Sequence, residues 1–428
     1  MDLIVTNLDK PNKGESALLT TADGTPLRKA LARAMRRARI NAFLLVAPLL
    51  LFVVVTFAVP IGQMLYLSIN NRVFSDYMPR VTAYLKVHPE IGVPCEDGFE
   101  ALALDLAAAK KNRTIGRIGT RINYDRSGST SLFKSGARKA VKFKGPPYKE
   151  KFLNHSEDWG EPYLWNVMRR ASQAHTLDFY AAALDFKYDA NGELVRVEPE
   201  RRIYVMLYQR TFFLSALIAG LCLLLGFPIA HLLATLPLRY SNLLMIFVLL
   251  PFWTSLLVRT TSWISLLQSQ GVLNDLLVAI GIINNDGRIQ MMYNQYGTII
   301  AMTHILLPFM ILPLYSVMKT ISPSYMRAAR SLGAAPITAF IKVYFPQTVP
   351  GIGAGTLLVF ILAIGYYITP ALVGGSSGEL ISNQIAFHMQ KSLNWSLAAA
   401  LGALLLFGVL GLFWLYDRLI GIDNMRFG

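Results

Sequence analysis

The sequence predicts an all-α integral membrane protein of six spans, with one small α+β insertion between the first and second. Three observations predict it. Only 16% of the 428 residues are charged, against about 25% in a soluble domain. That charge is segregated: residues 206–428 contain eleven Lys/Arg and five Asp/Glu, whereas residues 70–205 contain 22 and 17. Six apolar runs reach the roughly 20 residues that cross the hydrocarbon of a bilayer. Length alone permits two or three soluble domains, and the distribution of charge rules them out.

Taken in order, residues 1–39 form a basic segment, with Arg28, Lys29, Arg33, Arg36, Arg37 and Arg39 crowded ahead of the first apolar run. Such a flank stays cytoplasmic under the positive-inside bias. It is too polar for a cleavable signal, and the run after it lacks an A-x-A-like exit, so a retained anchor is expected. That first span covers residues 40–69 and contains Pro48 and Pro60, which a span tolerates when neighbours satisfy the freed carbonyls. The others are expected at 204–236, 241–267, 297–317, 349–373 and 397–419, before a tail at 421–428. With the N-terminus inside, the inner loops hold Arg239, then Lys319, Arg327, Arg330 and Lys342, then Arg418 and Arg426. The short outer loops hold only Arg288 and Lys391. Both termini are therefore expected in the cytoplasm.

The segment 70–203 then lies outside, since long loops cross regardless of charge. Residues 99–111 place Phe99, Leu102 and Leu106 at helical spacing, and residues 165–186 supply a second helical candidate. Alternation around Asn191-Gly192 predicts a hairpin. The Gly-, Ser- and Lys-rich middle, GSTSLFKSGARKAVKFKGPPYKE, is expected to be loop.

Several function classes are excluded. The net charge of +15 is explained by membrane flanks and a solvated insertion, and no basic and aromatic track suits nucleic acid. There is no phosphate loop and no G-x-S-x-G elbow. The six histidines lack metal spacing, and the two cysteines, Cys95 and Cys222, form no C-x-x-C pair. Gly351 and Gly355, which superficially suggest a dinucleotide fingerprint, fit G-x-x-x-G helix packing instead.

The informative stretch joins spans four and five: PSYMRAARSLGAAPITAFIKVYFP, residues 323–346. It predicts a helix, a break at Gly333 and a second helix opened by Pro336. Two short amphipathic helices on the cytoplasmic face would make a knob for another protein's groove. A surface loop lying on the bilayer fits the same residues.

Ala328-Ala329-x-x-x-Gly333, followed by Phe345-Pro346, resembles the EAA loop of type I ABC importer permeases. PFWTSLLVRT (251–260), GVLNDLLVAIGII (271–283), ILLPFMILPLYSVM (305–318) and TVPGIGAGTLLVF (348–360) are similar to the polyamine (spermidine/putrescine) permeases of that family. The likeness covers residues 204–420 and the first span; the insertion departs from it. Arg327 stands where the family has a leading Glu, and Ser331 where it has an Asp before Leu-Gly.

The resemblance implies the type I permease fold, with residues 204–420 as its transmembrane domain and 322–346 as the loop that couples to an ATPase subunit. The coupling residues would be Arg327, Ala328, Ala329, Ser331, Gly333, Phe345 and Pro346. It also implies a multi-pass protein of the bacterial inner membrane, surrounded by lipid and partnered by a homologous second permease, two ATPase subunits and an extracytoplasmic solute-binding protein. No nucleic acid, metal or cofactor belongs to this chain, which is not an enzyme; ATP and Mg sit on the ATPase subunit. The implied solute is a polyamine. A polycation asks for carboxylates or aromatic faces, so Trp253, Trp263, Tyr366, Tyr367 and Asp275 are candidates for the path. Arg259 would serve an anion in the alternative, an importer of an opine, an amino acid derivative or an anion. A membrane enzyme with an extracytoplasmic catalytic domain is the alternative of another class.

Overall fold

The computed structural model describes residues 27–420; residues 1–26 and the tail 421–428 lie outside the described residues. The chain divides into two compact units, residues 1–63 and 64–428. In the first, the basic flank from Leu27 is already helical, and Leu27–Val53 runs unbroken into the apolar stretch. The helix then widens into a π turn at Val54–Ala58. Pro60 is the reason: it has no N–H to give the carbonyl of Thr56, four residues back, and a wider turn absorbs the mismatch.

In the second unit four helices are long and apolar enough to cross a membrane: Tyr204–Thr235, Gln295–Thr320, Pro336–Gly365 and Trp395–Arg418. The first three pack together around Cys222, Met302, Leu306, Met310, Leu314 and Val359. Small residues let them close. A Cβ on Gly355 would stand 2.8 Å from the Met310 sulfur, and one on Gly351 3.0 Å from Val317 Cβ. The close-packing role expected of this pair is what the structure contains.

The third span expected at 241–267 is not one straight helix. Leu238–Trp253 and Leu256–Ala279 meet at 99°. Thr254 and Ser255 are extended there, and the Ser255 hydroxyl accepts from Val258 N–H (3.2 Å), starting a new helix. Including Met35–Leu67, five helices among the described residues qualify as spans, and six if the bent pair counts as one. The fifth span also ends earlier than expected, at Gly365 and not 373. Pro370 cannot donate to the carbonyl of Tyr366, and the chain breaks. Ser382 donates to that carbonyl (2.6 Å) and Asn383 to the carbonyl of Tyr367 (2.8 Å), both just ahead of the short helix Ile368–Val373.

The insertion is nearly all helix, which corrects the α+β expectation to helices plus one hairpin. Phe186–Tyr188 pairs antiparallel with Leu194–Arg196 across the expected Asn191-Gly192 turn. Phe74, Phe99, Phe133, Phe152, Trp159 and Trp165, all fully buried, form its core. The supposed loop contains the helix Ser129–Ala140. Its Leu132, Phe133, Gly136, Ala137 and Ala140 recur on one buried face, and Gly136 admits the indole of Trp159. The helix expected over 165–186 divides into Pro162–Ala171 and Asp178–Ala183. The residues between them leave helical geometry to pair with the chain before the insertion: Asn71 N–H donates to Ala174 (3.0 Å) and Thr176 N–H to Ile69 (2.9 Å).

Two buried carboxylates act as caps. Asp105 accepts from the N–H groups of Arg80 (2.8 Å) and Val81 (2.9 Å), at the start of Pro79–Val87. Asp185 accepts from Ile203 (3.2 Å), Tyr204 (3.1 Å) and Val205 (2.8 Å), so the insertion caps the span Tyr204–Thr235 directly. First-turn N–H groups have no intrahelical partner, and a carboxylate there also meets the positive end of the helix dipole.

Candidate coupling loop and solute path

The loop between the spans Gln295–Thr320 and Pro336–Gly365 opens with a cap. The Ser322 hydroxyl accepts from Ser324 N–H (3.3 Å), and Pro323 occupies the first helical turn, where its missing N–H costs nothing. The helix Pro323–Ser331 closes through Gly333, whose φ is +88°. Gly333 N–H donates to Arg330 (3.0 Å) and Ala334 N–H to Ala329 (3.1 Å). This is a Schellman closure, which requires the left-handed conformation that glycine adopts without strain. Nothing lies within 4 Å of the position a Cβ would take on Gly333. Its role is therefore in the backbone and not in close approach within this chain.

The second half of the loop differs from expectation. Pro336 does open a helix, but Pro336–Ala339 is the beginning of the next span rather than a separate amphipathic helix. It continues through a π turn, Phe340–Tyr344, into Phe345–Gly365. Pro346 repeats the effect of Pro60, since it cannot donate to Lys342 four residues back. The second half of the loop is thus continuous with the span. An aromatic cluster joins it to a second one: His231 Nδ1 and the Tyr344 hydroxyl are 3.1 Å apart, and Phe340 stacks on Tyr344 at 5.3 Å.

Arg327, Ala328, Ser331, Phe345 and Pro346 are exposed, and Ala329 is half-buried. Around them large apolar side chains also stand in the open: Leu332 is 89% exposed, Ile337 73% and Tyr325 54%. Sequence reasoning centred on the small residues and missed these three. The signal was available, because Leu332 directly precedes a helix-ending glycine and therefore lies at a turn. An apolar patch threaded by Arg327, Arg330 and Lys342 has the composition of a protein-binding surface.

On the proposed path, Arg259 and Trp263 lie four residues apart in Leu256–Leu267 and so share a face. Trp263 Nε1 donates to His304 Nδ1 (3.1 Å), and the two rings meet edge to face at 5.2 Å. The Arg259 Nε is buried with no hydrogen-bond partner. Trp263 and His304 meet, with Arg259 on the same helix face as Trp263; His304, read from sequence as isolated, is the unexpected member. Trp253 stands apart at the 99° bend and is 75% exposed. Tyr367 is at the break after Gly365, with its carbonyl held by Asn383. Asp275 does not act as a free carboxylate: Arg288 pairs with it at 2.8 Å and also donates to the carbonyl of Ser269 (3.1 Å). Among the described residues no three His, Cys, Asp or Glu side chains gather as metal ligands.

A membrane domain with an exposed helix–glycine–helix loop is the architecture of a transporter subunit. Residues 223–420 match the family described as binding-protein-dependent transport system inner membrane component. The chain is 36% identical over 249 residues to the spermidine/putrescine transport system permease protein PotB of Salmonella typhimurium, a match covering 57% of this chain and 80% of that protein. The Escherichia coli protein of the same name is also 36% identical, with 84% of its length covered. A bacterial alginate ABC transporter, solved with an alginate pentasaccharide-bound periplasmic protein, aligns with a TM-score of 0.44 at 20% identity, covering 53% of this chain and 81% of that one. The chain belongs to the type I ABC importer permeases, close to their polyamine branch. It is a multi-pass inner-membrane subunit without catalysis of its own; ATP hydrolysis lies on a separate ATPase subunit.

Proposed function

We propose that this chain forms half of the membrane pathway of an ATP-driven polyamine importer. The bent pair Leu238–Trp253 and Leu256–Ala279 counts as one span, which gives six and leaves both termini in the cytoplasm. Residues 70–203 then stand outside, and 204–420 form the permease domain. A homologous permease supplies the other half, a solute-binding protein delivers cargo, and two ATPase subunits carrying ATP and Mg dock beneath. The observation that carries the reading is the loop 322–346: exposed apolar side chains around a helix closed by Gly333, followed at Pro336 by a helix continuous with a span. Closure of the ATPase pair would pull that helix and, through Pro336–Gly365, the span above it. The pathway would then open alternately to either side of the membrane.

The polyamine assignment is supported by the relatives' names and by the aromatic groups Trp263, Tyr366 and Tyr367. One observation favours a second reading, a solute bearing a carboxylate or other anion. Arg259 has a buried, unpartnered Nε, while the carboxylate of Asp275 is already neutralised by Arg288; an ionisable group inside a membrane usually marks function. Uptake of labelled putrescine and spermidine into proteoliposomes containing the complete complex decides between them. ATP-dependent accumulation that needs this chain supports the polyamine reading. Absence of accumulation, with a labelled acidic solute taken up instead and lost in Arg259→Gln, supports the second.

A further inference from the structure

A cavity of about 670 Å³ lies where the insertion meets the first turn of the span Trp395–Arg418. Its size is that of a small-molecule site, and its depth in the fold is that of a bilayer surface, because a membrane helix begins at its wall. Three arginines line it, Arg72, Arg117 and Arg121, against a single carboxylate, Asp76. Arg121 is only 4% exposed. Its Nε donates to Asn71 Oδ1 (2.6 Å) and its Nη1 to Asp125 (2.5 Å), yet its Nη2 is buried with no partner. The Oδ1 of Asn70, on the same wall, is likewise buried and unpartnered. A buried charged donor left without an acceptor is among the most expensive omissions in a fold.

The remaining lining gives the ligand its shape. Arg117 Nη1 donates to the Tyr77 hydroxyl (2.7 Å), which turns the guanidinium along the wall. The Tyr124 hydroxyl donates to the carbonyl of Leu393 (3.3 Å), tying the insertion to the head of the span. Trp395, 47% exposed, stands at the rim. Tyrosine and tryptophan at this level are the usual markers of the lipid headgroup zone, and Leu67 and Phe179 supply an apolar side. A polyamine would meet a net positive charge here, since Asp76 and Asp125 offset only two of the three arginines.

We propose that this cavity holds the phosphate of an anionic phospholipid headgroup, bound by Arg72 and Arg117 above Arg121. Arginine guanidinium groups bind phosphate oxygens through paired, charge-assisted hydrogen bonds. The binding is independent of which solute the permease carries.

The test uses the full chain purified with its partner subunits and titrated with phosphatidylglycerol or phosphatidylcholine, bound lipid being counted by native mass spectrometry. Retention of phosphatidylglycerol over phosphatidylcholine is expected, falling roughly ten- to thirtyfold when both exposed arginines are replaced, in Arg72→Gln/Arg117→Gln. Asp76→Asn should move the other way and tighten binding, which general damage to the fold would not do. Inorganic phosphate and glycerol phosphate are the competitors. If they displace the lipid only at far higher concentration, the leaflet is the source. If they bind as well as the lipid, the lipid assignment is overturned in favour of a soluble phosphate. Equal retention of the two lipids, or no change in the double variant, overturns the site altogether.

Discussion

Gly333 offers a test in which backbone and side-chain effects separate. Its φ of +88° sustains the two closing bonds of the helix Pro323–Ser331, to Arg330 and Ala329. No atom within 4 Å of its would-be Cβ can clash with a new side chain. A replacement therefore acts through conformational strain. An L-residue in the left-handed region costs roughly 1–2 kcal/mol, with asparagine the cheapest because its side chain bonds locally. A β-branched residue is the least suited. At about 1.4 kcal/mol per factor of ten, Gly333→Val should shift the closed-to-open ratio of the loop about thirtyfold and Gly333→Ala about tenfold. Gly333→Asn should shift it by only a few-fold. The assay is ATP-dependent uptake in proteoliposomes at matched membrane abundance, with ATPase activity measured alongside. The expected order of transport is Gly, Asn, Ala, Val. If Asn is as damaging as Val, side-chain volume at a partner surface is what matters and the strain argument is refuted. If Val transports at the wild-type rate, the closure is irrelevant to coupling.

Asp275→Asn should leave uptake within about twofold, because Arg288 already neutralises the carboxylate and a half-exposed pair contributes only about 0–1 kcal/mol; initial rates of labelled solute uptake check this. Asp105→Ala removes the acceptor of two backbone donors and should destabilise the insertion by about 3 kcal/mol, read as faster amide exchange over Glu96–Lys111 in the full chain. Burial holds the Asp105 carboxyl above its usual value, so the native state takes up a proton more readily than the unfolded one. The contribution of Asp105 to protection should accordingly be fully present below about pH 4 and be lost as pH rises through the raised value; the difference between wild type and Asp105→Asn across that range isolates it. Cys95 is exposed and Cys222 buried, so a membrane-impermeant thiol reagent should label Cys95 in intact spheroplasts and leave Cys222 unlabelled. Labelling of Cys95 only after lysis would reverse the proposed orientation.

Much of the membrane domain was legible because hydropathy and helix length report the same quantity. The expected span 204–236 differs by one residue from Tyr204–Thr235. Hydropathy cannot report a bend, however, since the apolar run continues straight through Thr254-Ser255; the local signals were Pro251 and a serine able to cap. Composition misled for Ser129–Ala140, where glycine and serine suggested loop while the spacing of Leu132, Phe133 and Ala137 was helical. In the loop, the left-handed glycine and the opening proline were readable because each residue type has a local conformational reason. The exposure of Ile337 was not, because burial depends on which elements pack nearby. The pairing of Asp275 with Arg288 was hidden for the same cause, as the intervening turn brings together residues that no short spacing connects.

The most direct test of the account is contact between the loop and the ATPase subunit. A single cysteine at Leu332, the most exposed of the loop's apolar positions at 89%, is introduced with Cys95→Ser and Cys222→Ser in the purified complex and treated with a short bifunctional crosslinker. The account predicts one dominant product joining this chain to the ATPase subunit, with a yield that changes when ATP is added. An intact, transport-competent complex in which Leu332→Cys gives no such product and reacts freely with a soluble thiol reagent would contradict it.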